Sequence, residues 1–372
     1  MKLQDKILNL VFCIFIFAFG ILFTVMPKET FSENEKRELA KAPSFSAEAV
    51  LNGKFETAFE SYLNDHFPFR RNFTALNSYY LLYTGRNGEN GIYKGKDGYL
   101  FTKPSKAGNA LQENITALKN FAADTKIMST MILIPSSGFV MSDKLPTVHE
   151  EYNDDKILSS INKETESEIR WVDILSKYES SKDSGSKDSG QIYFKTDHHY
   201  TAYGAFLAYE AFCEEHGLTP YKDYSIETYS GFYGTSYSKS ALWSESGEDF
   251  EVWRYPSNTS VEIDGTTYNS LWFDEHLNKL DKYPVFLNGN QPFERITNPD
   301  AEGGNILILK DSYAHALVPF LAQHYKTIDM VDLRYYFNSV GDLVKENNYG
   351  EIFMIYGLSS LCDSNDISIL GV

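Results

Sequence analysis

The sequence is poor in cysteine and short of basic charge, and each shortage removes a class of function. Of three cysteines, Cys13 lies in an apolar run, which leaves Cys213 and Cys362 far apart. Two such residues build no disulfide framework, and no CxxC or Cys/His spacing of the kind that holds zinc is present. The thiols read as packing residues. Lysine and arginine total 34 against 51 acidic residues, a net charge of −17. A phosphate backbone needs a basic face that this balance does not obviously provide, so nucleic acid is disfavoured as a partner. An acidic surface suits a neutral glycan at least as well.

What is present is ample for a core. A chain of 372 residues, 42% hydrophobic and 15% aromatic, is long enough for one large domain or two small ones. Residues 7–26 are apolar except for Asn9, Gly20 and Thr24, about the length that crosses ~30 Å of hydrocarbon. Lys2 and Lys6 precede the run and predict a cytoplasmic N-terminus. The rival reading is a cleaved signal peptide, but the run is long for one and no small-x-small site follows it. The expectation is an uncleaved anchor over residues 1–26, single-pass in the cell membrane, with the remainder extracytoplasmic.

Residues 27–43 are charged and aperiodic, so 27–52 read as a stalk. Residues 54–63 and 69–83 carry apolar side chains at helical spacing, separated by Phe67 and Pro68. With a Lys96-Asp97-Gly98 turn between short aromatic runs, a hairpin signature, they make a helical lead-in over 53–105. Apolar runs at 126–134, 169–175, 305–309, 327–331 and 352–356 then alternate with helical stretches, the signature of a parallel sheet covered on both faces. Residues 181–190 repeat SKDSG twice, a composition that buries no core and reads as a solvated surface loop. Residues 221–298 are rich in Tyr, Ser, Gly and Trp and poor in helical periodicity, which predicts a β-rich insertion. Its Trp243, Trp253, Tyr255 and Trp272 are candidates to stack on sugars or to pack the insertion's own small core.

Two short motifs carry the chemistry: Lys195 to Tyr200 (KTDHHY) and Leu309 to His315 (LKDSYAH). A serine hydroxyl attacks a carbonyl only when an imidazole takes its proton and a carboxylate holds that imidazole in the right tautomer. Ser312, His199 and Asp197 supply the three groups. Two residues apart in a loop, Asp197 and His199 can face each other, while adjacent His198 diverges into a supporting role. The run 305–310 reads as a buried strand that delivers Ser312 to the sheet edge where α/β enzymes place their chemistry. The competing reading of Ser312 is a helix N-cap. If a helix follows it over 313–324, the first N–H groups, beginning with Tyr313, are candidates for an oxyanion hole. His315, one turn on, is a second candidate base. Arg334 and Tyr335, after the strand 327–331, are candidate donors to an oxyanion or acyl group, and Pro135, Ser136 and Ser137 end another strand at that edge. Asp197, His198 and His199 also suit a metal, and a DHH triplet marks a phosphoesterase family. That family needs acidic clusters before the triplet and a glycine-rich histidine segment after it, and neither is present. The triad reading calls for no metal and no cofactor.

The stretch 196–205 (TDHHYTAYGA), followed much later by a strand ending in Asp311-Ser312, resembles the DHHW-motif family of extracytoplasmic bacterial proteins, related to the SGNH-type alginate O-acetyltransferases. Residues 33–37 (ENEKR), 43–45 (PSF), 64–70 (NDHFPFR) and 95–101 (GKDGYLF) fit as well. Tyr200 stands where the family's name expects Trp. The resemblance implies an SGNH-hydrolase-like three-layer α/β domain over 53–372, with the permuted order in which Asp-x-His precedes serine. It further implies transfer of acetyl groups to hydroxyls of a cell-surface or exported polysaccharide, with a membrane-embedded acyltransferase as acyl donor. The alternatives are a carbohydrate esterase with the same triad and a non-catalytic polysaccharide-binding or assembly protein.

Overall fold

The computed structural model describes residues 2–183 and 190–371. Most of the repeated SKDSG segment lies outside them. The chain forms two compact units, one of residues 1–86 with 238–244 and one of 87–237 with 245–372.

The first unit begins with α1 (Leu3–Val25), an uninterrupted apolar helix long enough to cross a membrane. A two-residue antiparallel pair, β1 (Phe31–Ser32) with β2 (Arg37–Glu38), follows. Next come α2 (Ala47–Leu51), capped by the Ser46 hydroxyl, then α3 (Lys54–Asp65) and α4 (Arg70–Tyr83). The segment expected as a bare stalk is tied down, because the Arg37 guanidinium makes a two-pronged bond to Asp65 at the end of α3. The Ala40 N–H reaches the same carboxylate at 2.8 Å. These bonds hold Asp65 at a pKa of about 2.

The second unit opens with a hairpin, β3 (Ile92–Lys94) and β4 (Leu100–Thr102), at the predicted Lys-Asp-Gly turn. It continues through α5 (Asn109–Thr125), β5 (Met128–Ile134), α6 (Ser137–Val140), α7 (Asp154–Thr165), β6 (Ile169–Trp171), α8 (Ile174–Asp183) and α9 (Ala202–His216). Then come β7 (Ser225–Phe232), α10 (Thr235–Ser240), whose last three residues belong to the first unit, β8 (Glu248–Arg254), β9 (Ser260–Ile263), β10 (Thr266–Tyr268) and β11 (Phe293–Thr297). The chain closes with β12 (Gly303–Lys310), α11 (Ala314–Leu321), β13 (Tyr325–Val331), α12 (Val340–Glu346), β14 (Glu351–Gly357) and α13 (Leu358–Asp363).

Eight strands form one sheet in the order β10-β9-β11-β13-β12-β14-β5-β6. The five expected apolar runs supply the parallel strands β13, β12, β14, β5 and β6. Alternation along them builds two cores. Ile132, Ile306, Ile308, Phe353 and Ile355 pack with α8, α9 and α11, while Met131, Leu133, Leu307, Leu309 and Met354 pack with α5, α7, α12 and α13. The sheet is mixed, because β11, β9 and β10 from the insertion join it antiparallel at the β13 edge. The rest of the insertion makes a separate hairpin, β7 with β8. Its aromatics pack on one another and on neighbouring helices: Trp253 on Phe206 and Tyr224, and Tyr255 on Trp272.

Candidate active site

Central strand β12 ends at Lys310, and Ser312 sits in the turn beyond it. Asp311 holds that turn. Its carboxylate accepts the Tyr313 N–H at 2.9 Å, the Gly357 N–H at 2.8 Å and the Ser360 hydroxyl at 2.6 Å, fastening the end of β12 to the end of β14. Gly357 has no alternative there, since a Cβ would stand 2.3 Å from the Tyr313 ring. The helix begins later than the sequence suggests, at Ala314, with Tyr313 as its cap residue. The Ser312 hydroxyl caps nothing.

The partner loop is pinned at both ends. Half-buried Glu248 accepts the Lys195 N–H at 2.8 Å and the Thr196 N–H at 2.7 Å, while Thr201 caps α9 through the Gly204 N–H. Between these points the chain folds back, with Tyr193 bridged to Tyr200. Asp197 and His199 then converge. His199 Nδ1 lies 2.6 Å from Asp197 Oδ1, and His199 Nε2 lies 2.8 Å from Ser312 Oγ. Because Nδ1 faces a carboxylate it carries the ring proton, and Nε2 presents its lone pair to the serine hydroxyl. Asp197 is itself saturated: Oδ1 also accepts the His199 N–H at 2.9 Å, and Oδ2 accepts the Thr235 N–H at 2.6 Å and its hydroxyl at 3.1 Å. The approach of residues 234–235 needs a glycine, because a Cβ on Gly234 would fall 2.2 Å from that of Asp197.

The other predicted residues surround this line without joining it. His198 is half-buried and its Nδ1 is bonded to Thr235 Oγ1 at 2.6 Å. Tyr313 is buried, donates its hydroxyl to the His198 carbonyl at 2.8 Å and packs edge-on against the His199 ring. Tyr200, in place of the family's Trp, is fully buried and donates to the Tyr313 carbonyl at 2.5 Å. His315 turns into the protein, with its Nε2 2.6 Å from Lys310 Nζ. Burial and the Lys310 charge drive its pKa far below that of a free imidazole. Lys310 also lies 3.5 Å from Glu294 and 3.7 Å from Asp332, all three without solvent exposure. Arg334 grips Asp332 with two bonds at 2.8 and 2.6 Å, and exposed Tyr335 lies beside its guanidinium. Ser136 is occupied by Asp154, which accepts its N–H at 2.6 Å.

Two readings change. The expected free N–H groups of the helix are taken: Tyr313 and Ala314 donate to Asp311, and His315 donates to the Ser312 carbonyl. Among the described residues, the N–H that has no acceptor in this turn is Ser312's own. Second, Asp197, His198 and His199, which the metal reading would use, do bring ligand atoms within 4.8 Å of one another.

Sequence reasoning missed Tyr283. Its ring stacks on His199 with centroids 4.0 Å apart and planes 12° apart, and its hydroxyl donates to the Ser312 carbonyl at 3.1 Å. It also missed Gly234 and Thr235. All three come from the aperiodic insertion, where only the Gly-Thr pair carried a local signal, that of a tight turn.

Residues 150–331, which include both motifs, match the family described as DHHW protein. The chain is 27% identical over 181 residues to the probable alginate O-acetylase AlgJ of Pseudomonas aeruginosa, covering 45% of this chain and 44% of that protein. It thus spans less than half the length of that relative. Among solved structures it resembles a DHHW family protein from Eubacterium siraeum, with a TM-score of 0.66 and 23% identity over 76% of this chain and 95% of that one. It also resembles Bacillus cereus PatB1 with a sulfonyl adduct, with a TM-score of 0.60 and 23% identity over 74% and 98%. The chain carries a DHHW family domain with homology to AlgJ.

Proposed function

We propose that this DHHW-domain chain is an extracytoplasmic O-acetyltransferase acting on a cell-surface or exported polysaccharide. Ser312 is the nucleophile, His199 the general base and Asp197 its orienter. The observation that carries the reading is the continuous line from Ser312 Oγ through both ring nitrogens of His199 to Asp197, at 2.8 and 2.6 Å. In this reading the domain is SGNH-hydrolase-like and three-layered, with the permuted motif order. Residues 1–26 anchor it in the membrane as a single pass, 27–52 lead away from the bilayer, and 53–372 form the catalytic domain.

The chemistry follows from the geometry. Ser312 Oγ bonds to the acyl carbonyl carbon as its proton passes to His199 Nε2. The resulting oxyanion takes a hydrogen bond from the Ser312 N–H, which lies free for it. Collapse breaks the bond to the donor's oxygen, and that leaving group takes the proton from His199. A sugar hydroxyl then gives its proton to the same nitrogen, attacks the acyl-enzyme and leaves as the acetyl ester, restoring Ser312. Acetyl-CoA does not occur outside the membrane, so a membrane-embedded acyltransferase supplies the acyl group. The similarity to a probable alginate O-acetylase supports acetyl as that group and a glycan as its acceptor.

The test incubates the full chain with an activated acetyl ester, with and without oligosaccharides. An acetyl adduct should appear on Ser312 by peptide mass spectrometry, and acetylated sugar should form at the expense of free acetate. A glycan bound beside the acyl-enzyme outcompetes water because effective molarities reach about 10⁵ M or more. An adduct whose breakdown ignores every sugar tried makes the protein an esterase. Absence of any adduct removes the triad reading.

A further inference from the structure

Helix α4 and its cap residue Phe69 carry an apolar stripe that their own unit leaves about half or more exposed. Phe69, Phe73, Leu76, Tyr80 and Tyr83 recur at i, i+4, i+7, i+11 and i+14, the spacing of one helix face. They are 49, 46, 66, 58 and 82% exposed. The opposite face is the one turned inward, with Ser78 buried and the Arg71 guanidinium over the Trp243 ring. Scattered exposed apolar residues need no explanation, but five in register along a single face mark a contact surface.

The stripe is continuous with α1: the Phe19 ring stacks on Phe67 at 5.3 Å and leans on Phe73 at 6.3 Å, and Phe23 meets Tyr62 of α3 edge-on at 5.7 Å. Phe19 lies six residues before the end of α1 at Val25, hence about 9 Å below that end at 1.5 Å per residue. An amphipathic helix at a bilayer surface buries its apolar face roughly 5–10 Å into the headgroup and acyl boundary. The start of α4 is therefore held at that depth. Tyr80 and Tyr83 occupy the other end, with Arg86 over the Tyr80 ring, the residue types that favour the membrane–water interface.

We propose that α4 lies on the outer surface of the bilayer crossed by α1, with Phe69, Phe73, Leu76, Tyr80 and Tyr83 in contact with lipid. The inference rests on the anchor reading of α1 and adds a second, interfacial attachment to it. A single spanning helix leaves its domain free to swing. A lipid-bound α4 joined to the same unit restricts the freedom of that unit.

The cysteines allow a clean test. Cys213 and Cys362 are buried, whereas Cys13 is exposed in the middle of α1, so an environment-sensitive fluorophore on wild-type Cys13 reports the anchor. The same label on Leu76→Cys, in a Cys13→Ser background, reports the stripe. The full chain is placed in phospholipid vesicles carrying nitroxide lipids at headgroup or acyl-tail depth. Label at Cys13 should lose fluorescence to tail nitroxides, and label at Leu76→Cys should lose it to headgroup nitroxides and resist aqueous iodide. Quenching of the Leu76→Cys label by iodide alone, with Cys13 still quenched by tail nitroxides, overturns the proposal and leaves the anchor standing. A blue-shifted Leu76→Cys label that no nitroxide quenches means that a protein covers the stripe, which also overturns it. Absence of nitroxide quenching at Cys13 removes the anchor reading and this inference together.

Discussion

The ring of Tyr283 lies flat against the imidazole of His199, while its hydroxyl donates to the main-chain carbonyl of Ser312. One side chain thus fixes both the plane of the His199 imidazole and the turn that carries Ser312. It is buried, and burial pushes its phenol far above the usual tyrosine range, so it remains a neutral donor.

The two halves of that role separate by substitution. Tyr283→Phe keeps the stack and loses one hydrogen bond of about 1 kcal/mol, so turnover of an activated acetyl ester should fall roughly five- to tenfold with little change in melting temperature. Tyr283→Ala removes the ring as well. It should cost about 3–5 kcal/mol of stability, as large-to-small changes in a core do, and a larger share of turnover. Equal kinetics for the two variants would mean that the stack does not position His199.

Much of the site was legible because its parts are local. Asp197 and His199 are two residues apart, and continuous apolar runs announced the parallel strands, including the one that ends beside Ser312. What the sequence hid is held by long-range contacts. Thr235 reaches Asp197 from 38 residues away and Tyr283 reaches Ser312 from 29, both out of a segment without helical period. Strands β9, β10 and β11 are three to five residues long. Too short to show a pattern of their own, they disclose their place in the main sheet only through pairing with β13. Lys310, Glu294 and Asp332 were invisible as a cluster for a related reason: charged residues near strand ends ordinarily read as exposed.

The two adjacent histidines should behave differently. His199→Ala removes the ring that touches Ser312 and should abolish turnover along with Ser312→Ala, a loss on the order of 10⁶ for a nucleophile or base of this kind. His198→Ala breaks a bond to Thr235 instead and should keep turnover within roughly tenfold of wild type. Ser312→Ala should leave the melting temperature unchanged, because its hydroxyl caps no helix. Comparable loss in the two histidine variants would reassign the base.

The buried charges behind the site should make stability depend on pH through Glu294. Burial raises its pKa from 4.5 to about 7, against the pull of Lys310, and neither carboxylate oxygen has a hydrogen bond among the described residues. Between those two pH values the native state holds a proton that the unfolded chain releases, so this group's contribution falls as pH rises and levels off above about 7. His315 acts in the opposite direction. Its native pKa is depressed, so the unfolded chain binds the extra proton, and stability falls as pH drops below 6.5. Glu294→Gln isolates the first effect, since glutamine cannot ionise while His315 remains in both proteins. From pH 4.5 to 8 the stability of Glu294→Gln relative to wild type should improve by on the order of 3 kcal/mol, at about 1.4 kcal/mol for each tenfold in proton activity across the window. Chemical denaturation of both proteins at several pH values measures it. A difference that stays constant with pH would show that Glu294 is already ionised in the folded protein and shares the Lys310 charge with Asp332.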